Sequence, residues 1–338
     1  MAKMSNQKVG NNSILFLTPP FLSQTGVVIG PKEGEGPLGA DADLVCQNLS
    51  LQEKSFERAE RSLMEEACYI ALKKGKLKKE DIDFFLAGDL LNQITVSGFT
   101  ALSLQIPFLG IYGACTSLAE GLGLAGILLS GGFGSRVLAA TSSHNCSAER
   151  QYRYPTEYGF QKPGYAQWTA TGAGAALIDM EGPGMRITSF TVGEIVDMGI
   201  TDVFDLGTAM APAAATVLHS HFTELQREPN YYDLIVTGDL GQVGKQVLED
   251  LLQRKGYNLG QLYDDCGAML YYQHQQVDAG GSGCACSAIG VLGNLWRRMQ
   301  KKELNRVLLV ATGAMHSPTT SLQGESIPGI AHAVSLEQ

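Results

Sequence analysis

The sequence predicts an α/β fold: two duplicated halves, 1–180 and 181–338, packed as a layered sandwich with buried helices in the middle. Three observations carry this. Asp83 to Leu90 reads DFFLAGDL and Asp233 to Leu240 reads DLIVTGDL, an offset of 150 residues. Gly113-Ala114-Cys115-Thr116-Ser117 opens an Ala/Gly/Leu-rich run that ends in Arg136-Val137-Leu138-Ala139-Ala140-Thr141. Cys284-Ala285-Cys286-Ser287-Ala288 opens a second such run, ending in Arg306-Val307-Leu308-Leu309-Val310-Ala311-Thr312, and Cys115 to Cys286 spans 171 residues. The same parts in the same order mark an internal duplication. Finally, the strands are continuous apolar runs, as strands covered on both faces are. The helices between them are small-residued and almost uncharged, as helices buried all round are.

The elements follow in order. Gly30 to Gly39, GPKEGEGPLG, is a turn-rich segment to which composition assigns no role. Asn48 to Gly75 reads as one amphipathic helix, with charges at Glu53, Lys54, Glu57, Arg58, Glu65 and Glu66. The first repeat strand follows a short loop. Ile94 to Ala119 carries no charge, but Pro107 and several Ser and Thr residues interrupt it, so it reads as buried core and not as a membrane span. Glu149 to Lys162, ERQYRYPTEYGFQK, packs Arg150, Arg153, Lys162 and four aromatics into fourteen residues. Such a loop suits either an anionic ring or a dimer interface. Met210 to Leu225 is the second-half counterpart of the long helix, entered through Ala211-Pro212. Asp264-Asp265-Cys266 belongs to an insertion in the second half and suits a surface turn.

Composition excludes several functions. Lys and Arg number 25 against 34 Asp and Glu, a net charge of −9. Phosphate contacts need clustered cations, so nucleic acid is not expected as a partner. No polybasic patch for an anionic membrane is expected either, and any membrane role is peripheral. The seven cysteines show no CxxC spacing in a chain too large to need disulfides, which fits a reducing compartment. No metal site is expected: Cys284 and Cys286 form CxC without further ligands at suitable spacing.

Cys115 is the most informative residue. It follows an apolar strand and Gly113 and opens a helix, whose free N–H groups and partial positive charge lower a thiol pKa and attract carboxylates. The alternative is a small buried apolar cysteine. Acyl transfer through Cys115 needs a proton acceptor and an oxyanion hole. Among the six histidines, His144 lies at a strand's C-terminal end, where α/β ligand sites gather. His332 suits a pocket or a satisfied core position, and His316 is open. His219, His221 and His274 are expected at the surface. Asp89 and Asp239 end their strands symmetrically and either cap a helix or line a cleft.

The duplicated halves, the Gly113-Ala114-Cys115 elbow and the Thr171-Gly172-Ala173-Gly174-Ala175-Ala176 strand start resemble the thiolase and ketoacyl-synthase superfamily. More closely, the chain resembles the stage V sporulation protein AD family of spore-forming bacteria. GPKEGEGPLG (30–39), LAGDLLNQ (86–93), TSSHN (141–145), RYPTEYG (153–159), MAPAAA (210–215), AGGSGCACSA (279–288) and SIPGIAH (326–332) carry that likeness. The resemblance implies a thiolase-like five-layer αβαβα sandwich and a homodimer. It also implies a dipicolinic acid-binding protein, taking pyridine-2,6-dicarboxylate alone or with calcium. Such a protein works with membrane-embedded proteins of the same sporulation operon, peripheral on the cytoplasmic side of the spore inner membrane. It assists dipicolinate uptake into developing spores and release at germination.

The enzymes of the superfamily place a histidine after the second repeat strand, where this chain has Gly238 and Asp239. They place asparagine or histidine before the second small-residue helix, where this chain has Ser282. The expected function is therefore non-catalytic binding, with Cys115 a relic nucleophile. The expected ligand-binding residues are Asp89, Cys115, Thr116, Ser117, His144, Ser282, Cys284 and His332. The alternative is an acyl-thioester transfer enzyme using Cys115.

Overall fold

The computed structural model describes residues 7–152 and 162–338. The RYPTEYG stretch and most of the aromatic loop after Tyr152 lie outside the described residues.

Ten strands form the main path of one large mixed sheet. The first half supplies β1 (Phe21–Ile29), β2 (Phe84–Asp89), β3 (Phe108–Gly110), β4 (Arg136–Ser143) and β5 (Gly172–Asp179). The second supplies β6 (Met185–Thr191), β7 (Leu234–Thr237), β8 (Tyr263–Asp265), β9 (Arg306–Ala314) and β10 (Gly329–Glu337). Their spatial order is β8-β7-β9-β10-β6-β1-β5-β4-β2-β3. Each half repeats the same pairing. β2 runs parallel to β3 and β4, as β7 does to β8 and β9. β5 runs antiparallel to β4 and β1, as β10 does to β9 and β6. The half-sheets join where Phe21 and Leu22 of β1 pair with Arg186 and Met185 of β6.

The helices complete five layers. α1 (Phe56–Gly75) covers β1, β4 and β5, with α2 (Thr95–Leu104) and the short α4 (Asn145–Tyr152) beside it. On the other face α5 (Leu206–Leu225) covers β9 and β10 and packs on α6 (Gly241–Arg254). Between the half-sheets lies α3 (Ser117–Ser130), which touches β2 and β4 of its own half and β6, β9 and β10 of the other. Its partner α7 opens at Cys284–Ser287, takes π-helical pitch over Ala288–Leu295 and closes as Trp296–Gln300. The π-helical part rests on β1 and β5. Small residues permit this close layering: a Cβ on Gly123 would lie 2.4 Å from the Phe190 ring. Leu118, Leu122 and Leu129 of α3 share one core cluster with Ile289, Leu292 and Leu295 of α7.

Three local readings need correction. α1 begins at Phe56, not near Asn48. The Asn48 carboxamide oxygen accepts from the Ser50 and Leu51 amides at 3.1 and 2.9 Å and holds a turn there. Ser55 then caps the helix, accepting from the Arg58 amide. α5 begins at Leu206, because Asp205 accepts from the Thr208 amide at 3.3 Å, and Pro212 sits inside the helix. Asp264-Asp265-Cys266 is no surface turn: Asp265 closes β8, and both Asp265 and Cys266 are fully buried. No helix among the described residues is long and apolar enough to cross a membrane.

Candidate functional site

The crevice lies at the C-terminal ends of the parallel strands, where α/β sheets place ligands. Ala114 adopts a left-handed φ of 50° and turns the chain sharply toward α3. β9 packs directly on this elbow: a Cβ on Gly313 would lie 2.3 Å from the Gly113 carbonyl oxygen. An inner chamber of about 40 Å³ is walled by Leu90, Tyr112, Cys115, Tyr152, Ser282 and His316, among others. An outer groove of about 380 Å³ shares Leu90, Tyr112, Tyr152 and His316 with it.

Asp239 anchors the chamber from behind. It is buried, and its carboxylate accepts from the Gly283 amide (2.8 Å), the Ser282 hydroxyl (3.3 Å) and the Thr312 hydroxyl (2.8 Å). The Cys115 thiol lies beside it. Burial nevertheless pushes the Asp239 carboxyl up to about 6. Burial and the Asp239 charge together push the Cys115 thiol well above its usual range. This reverses the expected lowered pKa. Cys115 stands one residue outside Thr116, the cap of α3, and desolvation outweighs the helix field there.

Of the eight expected ligand-binding residues, Cys115 and Ser282 line the chamber. Cys284 packs behind it with Leu90 and Cys115, its thiol donating to the Ala114 carbonyl at 3.2 Å. The other five are placed elsewhere. Asp89 accepts from the Leu91 amide and from the amide and hydroxyl of Ser97, so it caps the start of α2. Thr116 donates to the Ala311 carbonyl at 2.9 Å and Ser117 to the Ala114 carbonyl at 2.7 Å. His144 bonds the Leu49 carbonyl through Nε2 and accepts from the Cys146 amide through Nδ1. His332 accepts from the Gly193 amide at 3.1 Å, beside the Phe190 ring. Burial holds the His332 imidazole down to about 4, so it sits neutral in the core.

Sequence reasoning left out the crevice's aromatic walls and left His316 open. The Tyr152 hydroxyl donates to the Leu90 carbonyl, with the Tyr112 hydroxyl beside it. His316 meets Ser321 at 3.2 Å and the Tyr152 carbonyl at 3.4 Å. Tyr152 carried a signal, as the first aromatic of the Glu149–Lys162 segment. Its neighbour Arg150 instead pairs with Glu57. His221, expected at the surface, is buried between Thr191 and Tyr232. Asp239 emerges as central, a position for which cap and cleft stood equal in the sequence. All seven cysteines are free thiols, and no group of potential metal ligands occurs among the described residues.

Two half-sheets enclosing paired helices, with a cysteine at the elbow of the first, define the thiolase and ketoacyl-synthase architecture. The chain superposes on human mitochondrial 3-ketoacyl-CoA thiolase with CoA at a TM-score of 0.60 and 12% identity, covering 95% of this chain and 99% of that one. It superposes on 3-oxoacyl-[acyl-carrier-protein] synthase III of Aquifex aeolicus at 0.59 and 13%, covering 94% and 100%. Xanthomonas campestris OleA gives 0.59 and 11% over 98% and 100%. These likenesses define the fold alone. The family model of stage V sporulation protein AD (SpoVAD) matches residues 10–337. The Bacillus subtilis (strain 168) stage V sporulation protein AD is 50% identical over 329 residues, 97% of each chain. The chain therefore belongs to the SpoVAD family of sporulation proteins.

Proposed function

We propose that this chain is a non-catalytic binding protein for dipicolinic acid, alone or as its calcium chelate. It assists uptake into the developing spore and release at germination. One observation supports this above others: the crevice keeps its cysteine and aromatic walls while the thiol is held protonated against Asp239. A thiol in that state is a poor nucleophile. Gly238 and Asp239 stand where the enzymes carry a histidine, and the Asp239 carboxyl is occupied by the Gly283 amide and the Ser282 and Thr312 hydroxyls. The inner chamber has room for a carboxylate and the outer groove for a planar ring. Calcium, which prefers oxygen ligands, removes the conflict between a dianion and Asp239.

The protein acts beside membrane-embedded proteins of its operon, peripheral on the spore inner membrane. It acts as a homodimer. The free edge at β3 supports the second copy: Leu109 on the strand and Phe99 and Leu102 on α2 are each about half exposed or more. Pairing two copies of one edge about a twofold axis covers that apolar face.

Acyl-thioester chemistry at Cys115 is the second reading, favoured by the His316 imidazole in the same chamber. Intact-mass measurement separates the two. After incubation with acyl-CoA, the binding reading expects an unmodified mass, and native spectra with dipicolinate show a non-covalent adduct. Covalent acylation of Cys115 would overturn it.

A further inference from the structure

Five of the chain's 25 Lys and Arg residues lie within seven consecutive positions: Lys73, Lys74, Lys76, Lys78 and Lys79. This corrects the reading that no polybasic patch exists, because the net charge of −9 conceals a local cluster. The segment is the last turn of α1, its left-handed cap at Lys76 and the short 3-10 turn Lys79–Asp81. Lys73, Lys74, Lys76 and Lys78 are exposed. Lys74 pairs with Asp43 at 2.7 Å and Lys79 donates to the Gln105 side chain at 2.8 Å. Lys73, Lys76 and Lys78 form no ion pair among the described residues. Glu80 is exposed beside them. Asp81 and Asp83 are engaged by backbone amides: Lys78 for the first, Ser135 and Arg136 for the second.

The fold does not require these lysines, and the internal duplication shows why. At the 150-residue offset the equivalent positions are Thr223, Glu224, Gln226, Glu228 and Pro229, with no cation among them. The backbone is nevertheless the same, with a left-handed cap at Gln226 (φ 53° against 55° at Lys76) and a 3-10 turn at Pro229–Tyr231. The helix field rewards cations only within its last turn, which leaves Lys78, beyond that turn and in no ion pair among the described residues, without a local reason. Phe133 adds an apolar element. It is 69% exposed on the turn leading into β4, which is the strand paired with β2. Both turns therefore lie at the N-terminal ends of adjacent parallel strands, opposite the crevice.

We infer that this end is a docking surface for anionic lipid headgroups, with the lysines meeting the headgroups and Phe133 entering the interface. The crevice then opens away from the membrane. This deepens the peripheral part of the proposed function and is independent of the ligand reading.

The test is co-sedimentation with vesicles of phosphatidylcholine alone and with added phosphatidylglycerol. Wild type is expected to bind the anionic vesicles and to be released by salt. The triple variant Lys73→Gln/Lys76→Gln/Lys78→Gln is expected to lose affinity by about tenfold or more, and Phe133→Ser to lose part of it. The control Lys54→Gln/Arg58→Gln/Arg150→Gln changes net charge equally at exposed positions around the opposite end of α1 and is expected to bind like wild type. Equal binding to both vesicle types, an unaffected Lys73/76/78 variant, or an equally impaired control would each overturn the inference. Dipicolinate titration of the Lys73/76/78 variant is expected to match wild type, which keeps this result separate from the ligand reading.

Discussion

The Cys115 thiol lies beside the buried carboxylate of Asp239, where the elbow of the first half meets the strand end of the second. In a condensing enzyme the cysteine must reach the thiolate. Here its nearest acid opposes that ionisation, so the crevice is built around a neutral sulfur.

Native-state alkylation checks the sulfur directly. At pH 7.5 iodoacetamide is expected to modify Cys115 at least about tenfold more slowly than the half-buried Cys46. Peptide mass spectrometry over time reads both sites. Rapid modification of Cys115 would show a thiolate.

Stability is expected to fall as pH rises above neutrality. Burial raises Glu60 to about 8, Asp265 to about 7 and Asp239 to about 6. A carboxyl raised in the native state binds its proton more tightly folded than unfolded. Its contribution is present at low pH and is lost as pH rises from the unfolded value through the folded one. Buried His221 and His332, held down to about 3 and 4, act oppositely below pH ~6.5. Three raised carboxyls outweigh two lowered imidazoles, so thermal melts from pH 5 to 8.5 are expected to decline gently up to pH ~6.5 and more steeply above it, where the imidazoles no longer compensate. Glu60→Gln is expected to flatten the alkaline part. A Tm rising steadily to pH 8.5 would contradict this.

Glu33 ties the turn-rich early segment to both halves. Its buried carboxylate accepts from the Thr171 amide at 3.1 Å and the Tyr271 hydroxyl at 2.5 Å. Glu33→Ala leaves two buried donors unpaired and is expected to cost about 2–4 kcal/mol in urea unfolding. Tyr271→Phe is expected to cost about 1 kcal/mol. A loss below ~0.5 kcal/mol for Glu33→Ala would remove that role.

Gly313→Ala tests the packing of β9 on the elbow. The added methyl meets the Gly113 carbonyl at 2.3 Å and the Ala114 methyl at 3.3 Å. The expected result is a folded protein with weakened dipicolinate binding, read by circular dichroism and titration. Unchanged affinity would show that the elbow yields freely.

The repeat was legible because duplication preserves strand and helix order: the GD strand ends and the small-residue helices fall where their offsets place them. The crevice was only partly legible. Spacing located Cys115 and Ser282, but Asp89 and Asp239 are symmetric in sequence and differ in role. Asp89 meets Ser97 at a helix start, whereas Asp239 meets Cys115 and Gly283 from other elements. No local signal distinguishes them, because the difference is set by partners far along the chain. His144 and His332 lie apart from the chamber walls for the same reason: each ring is satisfied by a distant backbone group. Tyr152 and His316 come together only through the fold.

The most direct test is calorimetric titration of dipicolinate, with and without calcium, into wild type and Cys115→Phe. The binding account predicts saturable heat for wild type that the added ring abolishes, while the variant's melting curve stays cooperative. Equal affinity in both proteins, or no heat in wild type, would contradict it.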